Sequence, residues 1–190
     1  MWMKYNNIKN IILKAFPVLV ITCIMSVISG QILGYEEDIL KKWPLLLVLT
    51  PSLLKIGGDT GCMMGSRLSS ALHFGISKNI KNNPIVINNF ISSLIIGFIS
   101  ILFSNIIIWC LSFYIKTKNQ VPFSYILFCS FCVYFFDIIF VYIITIILSL
   151  FCHKYGLDPD DIVIPLVSSF GDLAGVIGIM VSIFIIITIP

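Results

Sequence analysis

The sequence predicts an all-α integral membrane protein built as a bundle of five transmembrane helices. Hydrophobic residues make up 58% of the 190-residue chain and charged residues only 11%, whereas soluble domains have roughly 45–50% and 25%. Mean hydropathy is +1.05. The 12 Lys and Arg and 9 Asp and Glu side chains are too few to cover a soluble domain of this size. The net charge of +3 is too small and too dispersed for a nucleic-acid partner.

Five apolar stretches are long enough to cross the hydrocarbon core, which requires about 20 residues per helix. They lack the alternating pattern of a membrane β-barrel. The remaining residues are divided among short loops and cannot form a soluble domain. The predicted spans are Ile11–Leu33, Pro44–Gly65, Ile85–Ile115, Val121–Cys152 and Ile162–Ile189.

The first span follows several lysines, as a signal peptide would. Its apolar run is longer than a signal-peptide core of roughly 7–15 residues, and no clear cleavage site follows it. We therefore expect a retained first helix. The third and fourth spans exceed the minimum length, which predicts that they tilt or protrude.

The distribution of Lys and Arg predicts a cytoplasmic N-terminus and an extracytoplasmic C-terminus. In that orientation more of these residues lie inside than outside, and the acidic cluster Glu36–Asp38 faces outward. The inner set is Lys4, Lys9, Lys14, Arg67, Lys78, Lys81 and Lys154, and the outer set is Lys41, Lys42, Lys116 and Lys118.

Four ionisable residues lie well inside the spans, where each costs roughly 2.5–3.5 kcal/mol unless it faces a cavity or a partner. They are Lys55, Asp59, Asp137 and Asp172. Asp172 lies near the midplane, about 15 Å along the helix from Ile162. We interpret it as a carboxylate lining an ion path; the alternative is an acid paired with Lys55 at a packing face.

Small residues recur every three or four positions along the fifth span and form one stripe that lets another helix approach closely. Asp172 lies at the edge of this stripe, and Ser169 lies one turn before it. The stripe comprises Ser168, Gly171, Gly175, Gly178 and Ser182.

The second span contains Pro51 and the pair Gly57–Gly58, which predict a kink or an unwound stretch. Broken backbone at membrane depth is tolerated where it lines a cavity or is buried in protein. Free carbonyl groups there could face a cation. Lys55 and Asp59 are four residues apart, so they could instead neutralise each other.

Asp137 is central in the fourth span, surrounded in sequence by aromatic residues. Three roles remain open: an acid behind the cation site, a proton-linked group, or a partner for Lys55. Carboxylates, hydroxyls and carbonyls are hard oxygen ligands, which suit Mg²⁺, Ca²⁺ and Mn²⁺.

Two motifs resemble the MgtE / solute carrier family 41 group of divalent-cation transporters. Residues 51–75, PSLLKIGGDTGCMMGSRLSSALHFG, are similar to that group's second-span signature, a Gly-rich break followed by a Ser-Arg-Leu-Ser run. Residues 156–172, GLDPDDIVIPLVSSFGD, resemble its fifth span, where an Asp-Pro turn and a second Pro precede a membrane Asp.

The resemblance implies a cation path between two five-helix units, lined by the second and fifth spans, with Asp172 as its central acid. Asp59 stands where the family usually has Asn, which adds a negative charge. The resemblance also implies one MgtE-like transmembrane domain over residues 1–190. Family members often carry a soluble regulatory domain or a second such unit, but the few residues outside the spans here predict neither. The second unit would then be another chain, most simply an identical one in a C₂ homodimer.

We therefore predict a transporter or channel for a divalent cation, foremost Mg²⁺ with Mn²⁺ and Ca²⁺ as alternatives, and not an enzyme. The ion is the transported substrate, and no cofactor is expected. Asp172 and Asp59 would bind the hydrated cation, and Asp137 and Lys55 would act behind them. The supporting path would be formed by Ser168, Ser169, Gly57, Gly58 and Gly175.

Two other functions were weighed. A non-transporting assembly subunit would explain the small-residue stripes but leave Asp172 without a role. A metal-dependent lipid-modifying enzyme would need a second pair of aspartates near Asp59, which this region lacks. Convergence of Asp172, Asp59 and the break at Gly57–Gly58 on one polar cleft would favour transport, whereas a dry Asp172–Lys55 pair would favour the assembly subunit.

Overall fold

The computed structural model describes residues 8–73, 83–114 and 122–188, with side chains from residue 12 onward. Some sequence predictions concern residues or side chains that the structure does not describe. These are the predictions for Lys4, Lys9, Lys78, Lys81, Lys116 and Lys118, and for the span ends at Ile115, Val121 and Ile189. Six helices follow one another along the chain: α1 (Ile8–Tyr35), α2 (Glu37–Lys42), α3 (Pro44–His73), α4 (Pro84–Ser112), α5 (Phe123–Tyr155) and α6 (Pro159–Thr188).

Five of these helices are long and apolar enough to cross a membrane, which confirms the predicted five-helix bundle. The chain is an integral, multi-pass membrane protein. The second span was predicted too short, because α3 continues beyond Gly65 to His73. This last part carries polar residues such as Ser66 and Arg67, which are exposed and which a hydropathy criterion does not assign to a span.

The helix ends follow from local sequence. Asn83 precedes Pro84 at the start of α4, and its side-chain oxygen accepts a hydrogen bond from the Ile85 N–H at 2.9 Å. Gly156 ends α5 with a φ of 64°, a left-handed conformation that glycine adopts without steric cost. Asp158 accepts a hydrogen bond from the Asp160 N–H at 3.1 Å as α6 begins.

The short helix α2 was not predicted. Lys41 Nζ lies 2.7 Å from Glu37 Oε1, one helical turn away on an exposed surface. The hydrogen bond from Lys41 and its positive charge lower the pKa of Glu37, and the same contact raises the pKa of Lys41. Both residues therefore stay charged between these two titrations, and α2 remains a strongly polar segment outside the spans.

Helix α6 lies at the centre of the bundle, in contact with α1, α3 and α5, while α4 packs on α3 and α5. Helix α1 is the most exposed of the five long helices. It contacts the bundle mainly along α6, and Val18, Thr22 and Ser29 are its buried residues. The element most loosely attached to the bundle is therefore α1.

Two apolar clusters fill the interior at different levels. One, at the α2 end, includes Leu46, Leu53 and Ile179, and the other, at the opposite end, includes Met64 and Val167. Lys55, Asp59 and Asp137 lie between the residues that α3 and α5 contribute to these two clusters. Buried Asp137 therefore interrupts the apolar core at this level.

Candidate functional site

Helices α3 and α6 approach closely at paired glycines. A Cβ atom added to Gly171 would lie 2.5 Å from the Cα and N atoms of Gly58, and one added to Gly58 would lie 3.1 Å from the Ser168 carbonyl oxygen. Only residues without side chains permit this contact. It fixes the two helices side by side at the level of Asp59 and Asp172.

The predicted unwound stretch in the second span is wrong, whereas the alternative of a kink stays a prediction. Helix α3 is continuous through Pro51 and the Gly57–Gly58 pair. Both glycines are buried against α5 and α6, so the backbone keeps its helical hydrogen bonds. The Gly57 carbonyl also accepts a hydrogen bond from Thr60 Oγ1 at 3.0 Å. These glycines therefore provide space for neighbouring helices rather than free carbonyl groups.

A charged pair lies on the exposed side of the α3–α6 contact. Lys55 Nζ lies 3.7 Å from Asp59 Oδ1, and each side chain is 59% exposed. Lys55 Nζ also donates a hydrogen bond to Ser168 Oγ at 3.2 Å, which connects α3 to α6. Lys55, Asp59 and Ser168 therefore form one polar surface, which we call the α3–α6 polar face.

Asp172 lies one turn beyond Ser168 and is half-buried. It lines an open cleft of about 250 Å³ between α1, α3 and α6, together with Ser26, Ser29, Gly30, Leu33, Pro51, Leu54 and Val176. The charges of Lys55 and Asp59 both act on its carboxylate. No ion pair within the described part of the chain joins Asp172 to Lys55, so the dry-pair alternative is not observed.

Two of the predicted path residues lie away from this face. Ser169 is buried, and its hydroxyl donates a hydrogen bond to the Pro165 carbonyl at 3.2 Å. Gly175 is also buried, and a Cβ added there would lie 2.7 Å from Leu54 Cδ2. Ser168 is therefore the serine of the pair that faces the charged residues.

Asp137 is almost completely buried, with 2% of the residue exposed. Its carboxyl group lies against Gly57, where any side chain would overlap it. Neither carboxyl oxygen has a hydrogen-bond partner among the described residues. Asp137 thus lies on the α5 side of α3 rather than on the exposed α3–α6 polar face, and it contacts neither Lys55 nor an ordered donor.

Helix α1 contributes to the site in a way that sequence reasoning missed. Ser29 Oγ donates a hydrogen bond to the Asp172 carbonyl at 3.2 Å and links α1 to α6 at the cleft. The sequence does place small residues close together in the first span, at Ser26, Ser29 and Gly30. Only the packing of α1 on α6 reveals that they line the cleft.

The side chains that the structure describes do not form a complete set of direct metal ligands. Among the described residues no group of three or more His, Cys, Asp or Glu side chains is placed to hold a metal ion. Two carboxylates and one hydroxyl along a half-open surface can instead interact with a cation that retains its water molecules, as Mg²⁺ commonly does.

Comparisons with known proteins indicate the family to which the chain belongs. A family model described as MgtE, divalent cation transporter, matches residues 50–184, which include all of α4 and α5 and most of α3 and α6. The chain is 28% identical over 157 residues to solute carrier family 41 member 2 of Xenopus laevis, covering 78% of this chain and 27% of that protein. It is 27% identical over 158 residues to solute carrier family 41 member 2 of Gallus gallus, covering 78% of this chain and 26% of that protein.

The chain thus spans about a quarter of the length of these curated relatives. No solved structure matches it. The family match covers most of the chain and contains every residue of the α3–α6 polar face together with Asp172. The chain therefore belongs to the MgtE family of divalent cation transporters.

Proposed function

We propose that this protein carries a divalent cation, foremost Mg²⁺, across a membrane along the α3–α6 polar face and the Asp172 cleft. The observation that carries the proposal is the exposed Lys55–Asp59 pair beside half-buried Asp172. Charged groups at this depth are costly if they face lipid and acceptable if they line a hydrated path. Membership of the MgtE family supports a divalent cation as the transported ion.

The cation would keep most of its water. Asp172 and Asp59 would attract it and accept hydrogen bonds from its water molecules, and Ser168 would contribute a hydroxyl. Mg²⁺ loses water reluctantly and is commonly held through one or two carboxylates. A path of this kind can favour a divalent ion through charge without a rigid set of direct ligands.

A second copy of the chain would complete the path as a C₂ homodimer. One side of the α3–α6 polar face is packed against the bundle, and the other is open. A self-complementary contact between two copies would shield the polar surface from lipid and place two Asp172 residues near the axis. In the proposed orientation the N-terminus is cytoplasmic and α2 is extracytoplasmic.

The test is Mg²⁺ flux into proteoliposomes that contain purified protein. Asp172→Asn removes a charge at nearly constant volume, and Asp38→Asn is the matched control on exposed α2. We expect flux in the wild type and the control and loss of most flux, about ten-fold or more, in Asp172→Asn. The monodispersity and thermal stability of each variant are measured in parallel.

Three other outcomes have distinct meanings. Equal flux in Asp172→Asn and wild type would remove Asp172 from the path and direct the search to Asp59. Wild-type flux of Mn²⁺ or Ca²⁺ without Mg²⁺ would retain transport and change the ion. Absence of flux for all three ions would contradict transport by this chain alone and favour an assembly subunit.

A further inference from the structure

We propose that Lys55 is a tethered cation that occupies the transported ion's site and must be displaced when the ion binds. This inference rests on the proposed function and extends it to ion affinity. Lys55 Nζ contacts two groups that we assign to the cation, at 3.7 Å from Asp59 Oδ1 and 3.2 Å from Ser168 Oγ. Its charge also acts on Asp172.

The geometry favours competition over a structural role. Both members of the Lys55–Asp59 pair are 59% exposed, and exposed ion pairs add little to stability. The lysine stem is flexible, so the ammonium group can move away while its backbone remains in α3. The same oxygen atoms can therefore bind either the ammonium group or the water shell of a divalent ion.

The charge balance indicates what this competition achieves. By formal charge, the one cation Lys55 and the two carboxylates Asp59 and Asp172 sum to −1 per chain. Two copies would carry about −2, which one divalent ion neutralises. Without Lys55 the two copies would carry about −4, and a divalent ion would be held too strongly for ready release. Lys55 would therefore weaken ion binding and favour release.

The experiment measures Mg²⁺ binding by titration calorimetry on purified wild type, Lys55→Gln, Lys55→Met and Lys55→Arg. Loss of the charge is expected to lower the Kd about ten-fold or more, because a positive charge within a few ångströms of the ion is removed. Lys55→Arg keeps the charge and is expected to stay within about three-fold of wild type. Lys42→Gln on exposed α2 is the matched control for net charge and should leave the Kd unchanged.

Flux separates this inference from the proposed function. In proteoliposomes, Lys55→Gln should lower the Mg²⁺ concentration at half-maximal flux without raising maximal flux. An unchanged or raised Kd in both uncharged variants, with wild-type binding intact, would overturn the role of Lys55 and leave the proposed transport standing. Absence of Mg²⁺ binding and flux in the wild type would overturn both. Thermal unfolding of every variant identifies any loss of fold. If Lys55→Gln is unfolded, Lys55→Met takes its place, because methionine keeps the apolar stem of the side chain.

Discussion

Gly171 provides the most direct test of the α3–α6 contact. An alanine Cβ there would lie 2.5 Å from the backbone of Gly58, about 0.9 Å short of the 3.4 Å at which ordinary contact begins. Since both contacting groups belong to helix backbones, neither can rotate away. The substitution Gly171→Ala must therefore separate α3 from α6 or bend one of them.

The expected loss is about 0.5–2 kcal/mol in the free energy of unfolding. Overpacking typically costs about 1–3 kcal/mol, and alanine regains about 0.5–1 kcal/mol over glycine within a helix. Gly30→Ala is the matched control, because nothing lies within 4 Å of the added Cβ on exposed α1. Gly175→Ala should fall between them, since the added atom mainly meets the flexible end of Leu54.

The assay is unfolding by SDS titration in mild-detergent micelles, followed by circular dichroism. We expect Gly30→Ala to equal or exceed wild type in stability, and Gly171→Ala to be the least stable of the three. Equal unfolding free energies for Gly171→Ala and Gly30→Ala would show that the close backbone contact between α3 and α6 does not exist in the membrane protein.

Three further predictions concern α5, α4 and orientation. Gly57→Ala should destabilise the protein by about 1 kcal/mol or more, because the added Cβ overlaps the Asp137 carboxyl group. In a double-mutant cycle measured by SDS titration, Asp137→Ala in the same chain should recover part of that loss. Strictly additive losses of stability would contradict the contact between Gly57 and Asp137. Ser130→Ala should cost about 0.6 kcal/mol, because its hydroxyl donates to Asn105 Oδ1 at 3.1 Å in the buried α4–α5 contact; no loss relative to exposed Ser70→Ala in the same titration would oppose this. The orientation is tested after Cys23 and Cys110, the exposed cysteines among the described residues, are replaced by serine. A membrane-impermeant thiol reagent should then label Lys42→Cys in intact cells and Lys154→Cys only after permeabilisation. The reverse labelling pattern would invert the proposed orientation.

Much of the fold could be predicted because hydropathy and length decide which segments enter a bilayer. The five spans needed only apolar runs and the charged or Gly/Pro-containing segments between them. Helix α2 was missed because six residues bear no span signal, and the end of α3 was missed because Ser66 and Arg67 are polar. Both errors lie at span ends, where sequence patterns are weakest.

The site was only partly predictable. The spacing of small residues by three or four positions identified the stripe that contains Gly171. The charged residues were identified because charges are rare within apolar spans. The expected unwound stretch at Gly57–Gly58 was wrong because tertiary packing overrode local propensity: α5 and α6 cover these glycines and the helix remains intact. The contact between Gly57 and Asp137 depends on the register of α3 against α5, which one sequence does not specify.

The partner of Lys55 could also be predicted only in part. Sequence spacing allowed Asp59 as its partner, and a midplane position allowed Asp172. The structure selects Asp59 at 3.7 Å and adds Ser168, a partner on another helix. An i,i+4 relation can be read from a sequence, whereas a contact between α3 and α6 depends on how the two helices pack.

The proposed path requires a hydrated divalent ion on the surface between Asp172 and Asp59. The most direct measurement is anomalous diffraction from crystals of the protein grown with Mn²⁺. We predict a Mn²⁺ peak about 4–5 Å from the Asp172 carboxylate, the distance spanned by one water molecule, on the α3–α6 polar face between two copies of the chain. A Mn²⁺ peak elsewhere, with lipid covering the polar face, would contradict the account.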